Sequence, residues 1–70
     1  MNIGIVGAGA IAHFLLKEIN QKNQNDLRVK SVFVKDKRKY EMIASKFEVE
    51  LFTELNDFLS SDIDVVVEAA

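Results

Sequence analysis

Ile3-Gly4-Ile5-Val6-Gly7-Ala8-Gly9-Ala10-Ile11-Ala12 is the stretch on which the reading of this chain turns. Its first half is a short apolar run rich in branched residues, the pattern of a parallel strand covered on both faces. Its second half, Gly7 to Ala12, is G-x-G-x-x-A, leaving that strand directly and opening a helical pattern. Gly7 permits the tight turn out of the strand. Gly9 has no side chain, so the backbone there can approach a pyrophosphate, and Ala12 is small enough for a helix to pack close to the sheet. The free backbone N–H groups of Ala10 and Ile11 would then point at the anion, aided by the positive end of the helix dipole. The bland alternative is a glycine-rich turn that binds nothing. The strand before it and the helix after it favour a dinucleotide site.

Working outward, the hydrophobic period changes several times. From Ala10 to about Asn20 it is helical, with Ile11, Leu15 and Ile19 in one stripe, Ala12 and Leu16 beside it, and Asn20 off it. The polar run Asn20 to Asp26 should end that helix. Leu27 to Val34 reads as a second strand, followed by a basic turn over Lys35 to Lys39. Arg38 to about Lys46 is a short helix burying Tyr40, Ile43 and Phe47. Val49, Leu51 and Phe52 form a third strand. Thr53 can cap a further short helix with Leu55, Phe58 and Leu59 as its apolar face. Asp64 to Glu68 is expected as a fourth, buried strand. The order β-α-β-α-β-α-β predicts an α/β fold of Rossmann type, a four-stranded parallel sheet.

The 70 residues make one domain at most, burying only about 60% of the surface of the unfolded chain. With no cysteine and no proline, disulfides and thiolate metal sites are excluded, and a reducing cytoplasm is the expected compartment. A net charge of −2 and a pI near 5.2 give no electrostatic reason to expect nucleic acid or an anionic membrane as partner. The uncharged stretch Ile3 to Leu16 is too short for a membrane span and has no basic segment before it. A strand at the end of the sequence implies a truncated dinucleotide-binding domain whose edge would pair with another chain, consistent with a homo-oligomer.

A second element of the site lies where the second strand ends, Phe33-Val34-Lys35-Asp36-Lys37-Arg38. An acidic residue is expected there to hold the adenosine ribose. Val34 stands in its place, and Asp36 follows two residues later among Lys35, Lys37, Arg38 and Lys39. Two readings stay open: Lys35 with Lys37 or Arg38 accepts the 2′-phosphate of NADP, or the segment is a solvated basic turn. His13, the sole histidine, falls off the apolar stripe and reads as solvent-facing or partly packed. Asp62 and Asp64 read as loop polarity, not a metal site. Glu68-Ala69-Ala70 falls at the carboxyl end of a strand, where ligands sit in open parallel sheets, and the small Ala69 and Ala70 would let a cofactor approach.

Together, the opening Ile3 to Ala12 and the closing Asp62-Ile63-Asp64-Val65-Val66-Val67-Glu68-Ala69-Ala70 resemble the cofactor domain of L-aspartate dehydrogenases and the related homoserine dehydrogenases, across essentially the whole chain. The resemblance implies reversible oxidation of an amino acid, with NAD or NADP as the nicotinamide partner and a small amino-acid substrate. It also implies that Ala10 and Ile11 touch the pyrophosphate, and that Ala69 and Ala70 lie toward the nicotinamide half. The family's catalytic and substrate-binding residues would lie downstream of Ala70, so no residue here is assigned a catalytic role and the 70-mer should be inactive. Two alternatives differ in kind. A sugar or polyol enzyme of the glucose–fructose oxidoreductase type would show a Glu-Lys-Pro type signature just after this stretch. A non-catalytic nucleotide-sensing module would lack a substrate domain.

Overall fold

Strand alternation in β1 (Asn2–Val6) sends Ile3 and Ile5 to one face of a sheet and Gly4 to the other. The remaining elements assemble on those two faces. The computed structural model describes residues 1–22 and 26–69. In chain order β1 is followed by α1 (Ala10–Leu16), a π-helical turn (Lys17–Gln21), β2 (Arg28–Phe33) and a 3₁₀ turn (Arg38–Tyr40). Then come α2 (Glu41–Phe47), β3 (Glu50–Phe52), α3 (Leu55–Leu59) and β4 (Val65–Glu68). All pairings are parallel and the strand order is β3-β2-β1-β4. The chain steps from β1 through β2 to β3 on one side, then crosses back to place β4 on the other. That reversal beside β1 is a topological switch point.

One face of the sheet carries the larger apolar layer. Ile3, Ile5, Val29, Val32 and Leu51 from the strands pack with Ala12 and Leu16 of α1 and Ala44 and Phe47 of α2. Val29 and Val32 share this face although they are three residues apart. The register slips between Ile3 and Gly4, leaving Lys30 without a counterpart on β1 and restoring the alternation. On the other face α3 contributes Phe58, fully buried against Phe33 and Phe52. Ser31 also faces this side, where the Ser31 hydroxyl donates to Ser61 Oγ at 2.9 Å.

Several expectations are corrected. Ile11 is 60% exposed, and the buried stripe of α1 is centred on Ala12 and Leu16. Thr53 does not cap α3; Glu54 holds the N-cap position with no side-chain bond, and Leu55 and Leu59 are about half exposed. Among the described residues β4 lies at the edge of the sheet, with Val65 40% and Val66 43% exposed, where a buried strand was expected. Asp62 and Asp64 fasten the start of β1. Asp64 Oδ2 accepts the Asn2 N–H at 2.7 Å, and Asp62 Oδ2 accepts from Asn2 Nδ2 at 3.2 Å.

Asn20 is the largest departure. The π-helical turn changes the helix phase and aims its side chain at β2 and the end of α2. Its Nδ2 donates to Val29 O at 2.9 Å and Phe47 O at 3.1 Å, while its Oδ1 accepts the Val29 N–H at 2.8 Å. One amide thereby satisfies three part-buried backbone groups. Asn20→Ala is expected to lower the unfolding free energy by about 2 kcal/mol, since the freed groups keep their desolvation penalty. Urea denaturation measures this; a loss below about 0.5 kcal/mol would mean that water replaces the amide.

Candidate functional site

The site forms where β1 and β2 end. Gly7 has φ 104°, a conformation that side chains rarely adopt, and its N–H donates to Phe33 O at 2.9 Å. The chain thus stays tied to β2 while it turns away. Gly9 has ordinary φ −78°, so its requirement is different. A Cβ placed on Gly9 would meet nothing within 4 Å. The backbone there borders open space.

The first bond of the following helix runs from the His13 N–H to Gly9 O at 3.0 Å. The N–H groups of Ala10, Ile11 and Ala12 precede that ladder and have no partner within the helix. They emerge beside the open space at Gly9, at the positive end of a helical backbone that continues through the π turn to Gln21. An anion placed there would meet amide hydrogens and no side chain. The expected roles of Gly7, Gly9, Ala10 and Ile11 are therefore geometrically available. Ile11, exposed, lies at the site's rim rather than in the core.

A cleft of about 370 Å³ opens next to this turn. Val6, Gly7 and Ala8 form one wall and Phe33, Val34, Lys35 and Asp36 the other, with Lys39 and Tyr40 at its end. Val34 is 4% exposed and its N–H donates to Phe52 O at 2.8 Å, so the residue in the expected carboxylate position belongs to the core. Asp36 Oδ1 accepts the Arg38 N–H at 3.1 Å, a local turn that starts the 3₁₀ segment. That segment brings Lys39 to the cleft, with its Nζ 5.8 Å from the Tyr40 ring centroid. Lys35 is on the cleft as expected, but its cationic companion there is Lys39, not Lys37 or Arg38.

On the other side of β1, the Ala69 N–H donates to Val6 O at 2.9 Å, extending the β1–β4 pairing beyond Glu68. Ala69 is 4% exposed and sits at the switch point; Ala70 lies outside the described residues. Glu68 is exposed. His13 is exposed with its ring edge-on to Phe47, centroids 5.8 Å apart. A smaller recess of about 150 Å³ at the opposite end is bounded by Asn20, Arg28 and Glu48, whose polar groups are already bonded to one another or to backbone. Among the described residues no group of three His, Cys, Asp or Glu could hold a metal ion, and no helix is long and apolar enough to cross a membrane.

Residues 1–69 match a family model described as "Oxidoreductase family, NAD-binding Rossmann fold". An L-aspartate dehydrogenase of Methanocaldococcus jannaschii is 29% identical over 70 residues, and one from Methanococcus maripaludis is 30% identical. Each alignment covers 100% of this chain and 26% of the relative, so the chain spans about a quarter of the curated relatives it matches. Among solved structures, a Desulfitobacterium hafniense protein described as an NADPH-dependent oxidoreductase superposes with a TM-score of 0.77. That superposition covers 99% of this chain and 20% of the other at 14% identity, and it shows the shared fold.

Proposed function

The chain belongs to the oxidoreductase family with an NAD-binding Rossmann fold, and we propose that it is the dinucleotide-binding part of an L-aspartate dehydrogenase. The observation that carries the nucleotide site is the pairing of open space at Gly9 with the unladdered amides of Ala10 and Ile11. Gly7, Gly9, Ala10 and Ile11 would hold the pyrophosphate. Lys35 and Asp36 would border the adenosine ribose, and Ala69 would lie toward the nicotinamide. When bound, the cofactor supplies the hydride acceptor for oxidation of a substrate carbon. This chain's own residues bind and orient; the reading assigns substrate recognition and proton transfer to other parts of the enzyme.

Support for the amino-acid substrate is the similarity to L-aspartate dehydrogenases over the whole chain. The reading makes the enzyme cytoplasmic. It also makes it a homo-oligomer.

The test is nucleotide titration of the full-length protein by NADH and NADPH fluorescence, followed by turnover with aspartate, homoserine and a panel of polyols. Binding of at least one nucleotide with aspartate as the preferred substrate is expected, and residues 1–70 alone should show no turnover. Polyol turnover without amino-acid turnover would move the protein to a sugar-type branch. Failure to bind either nucleotide would end the reading.

A further inference from the structure

We infer that the cleft selects NADP over NAD, with Lys35 and Lys39 gripping the 2′-phosphate of the adenosine ribose. This rests on the dinucleotide-binding reading above and adds the identity of the preferred cofactor. NAD presents a neutral 2′-hydroxyl at this point, which a carboxylate recognises by accepting its hydrogen bond; NADP presents a phosphate, which cations recognise.

Three observations separate these cases. The first is the fate of the expected carboxylate position, where Val34 is buried in the core with its N–H bonded to Phe52 O. The second is the posture of Asp36, the sole acid of the turn. Its Oδ1 accepts the Arg38 N–H at 3.1 Å, so this carboxylate shapes the turn while it lines the cleft. The third is charge. Residues 35 to 39 carry four cations against one carboxylate, in a protein whose net charge is −2.

None of those cations is held in an ion pair among the described residues, and Lys39 faces the Tyr40 ring. Ion pairs among the described residues join Lys22 to Glu18, Arg28 to Glu48 and Lys30 to Asp62, and none uses the turn. Four like charges at the start of a helical segment oppose its dipole as well as one another. A bound phosphate relieves both conflicts, since a phosphomonoester carries about −1.5 to −2 charges near neutrality. Lys35 and Lys39 are the two that border the cleft, while Lys37 and Arg38 lie off it and supply the surrounding positive field.

The experiment titrates NADPH and NADH into the full-length protein and into a Lys35→Ala, Lys39→Ala double variant. Competition by adenosine 2′,5′-bisphosphate and its 3′,5′ isomer is measured alongside. Both lysines are exposed, so the variant should fold, and circular dichroism verifies it. NADPH should bind at least about tenfold more tightly than NADH, and the double variant should erase that ratio, the loss falling on NADPH far more than on NADH. The 2′,5′ isomer should compete better than the 3′,5′ isomer, which has equal charge. Equal or stronger NADH binding, a ratio unmoved in the double variant, or equal competition by the two isomers would overturn the inference and leave the dinucleotide site standing. If neither nucleotide binds, the site itself is wrong and the inference falls with it.

Discussion

Gly9→Val is expected to weaken binding of the preferred nicotinamide nucleotide by at least about 100-fold, or about 2.7 kcal/mol, with the fold intact. Open space and ordinary backbone angles at Gly9 are what separate the two effects. With φ −78° and ψ −159°, the residue has an extended backbone outside the left-handed region, so no positive-φ strain opposes a side chain there. A Cβ there meets no atom of the protein within 4 Å. Loss of the preferred N-cap glycine should lower stability by no more than about 1 kcal/mol. In the bound state the valine methyls occupy the volume through which a pyrophosphate reaches the Ala10 and Ile11 amides. Gly7 offers no such separation, because its φ of 104° strains any side chain regardless of ligand. Thermal unfolding measured beside nucleotide titration decides the matter. If the valine variant binds as the parent does, the phosphate passes elsewhere and the glycine turn is only a turn.

What the sequence discloses here is local, and what it conceals is the pairing of distant residues. The strand, glycine turn and helix from Asn2 to Leu16 were legible because the apolar period changes within a few residues and the glycines sit at the change. The parallel sheet followed from the alternation of elements. Phase was less secure: Ile11, Leu15 and Ile19 and the observed Ala12 and Leu16 are neighbouring stripes on one helix, and the pattern does not say which turns inward. Asn20 reads as a helix-ending polar residue until Val29 and Phe47 are placed around it. Thr53 is a better cap chemically than Glu54, yet the backbone enters α3 one residue later. On the cleft, the basic turn was visible but its inward-facing member was not. The 3₁₀ segment after the Asp36 turn is what delivers Lys39, instead of Lys37 or Arg38.

The same limit applies to Gly4, which the sequence shows only as a break in an apolar run, and which should give the largest loss of stability when filled. Gly4→Val is expected to destabilise the protein by about 3 kcal/mol or more, the upper part of the range for overpacked cores. A Cβ at this position would stand 2.7 Å from Ile63 Cδ1 and 2.8 Å from Phe58 Cζ, closer than real side chains approach. Replacing a strand glycine would otherwise gain about 0.5–1 kcal/mol from backbone entropy, so the clash must exceed that gain to set the sign. Ile63 can swing its terminal methyl aside. Phe58 cannot retreat easily: it is 0% exposed, with the Phe33 and Phe52 ring centroids 5.9 and 6.1 Å away. Trimming the ring isolates the cause. Phe58→Leu alone should destabilise through the cavity it leaves, yet combined with Gly4→Val the losses should fall short of additive by about 1 kcal/mol or more. Additive losses in urea denaturation would mean that the valine is rejected by something other than Phe58, and that α3 does not bear on β1 as closely as its position indicates.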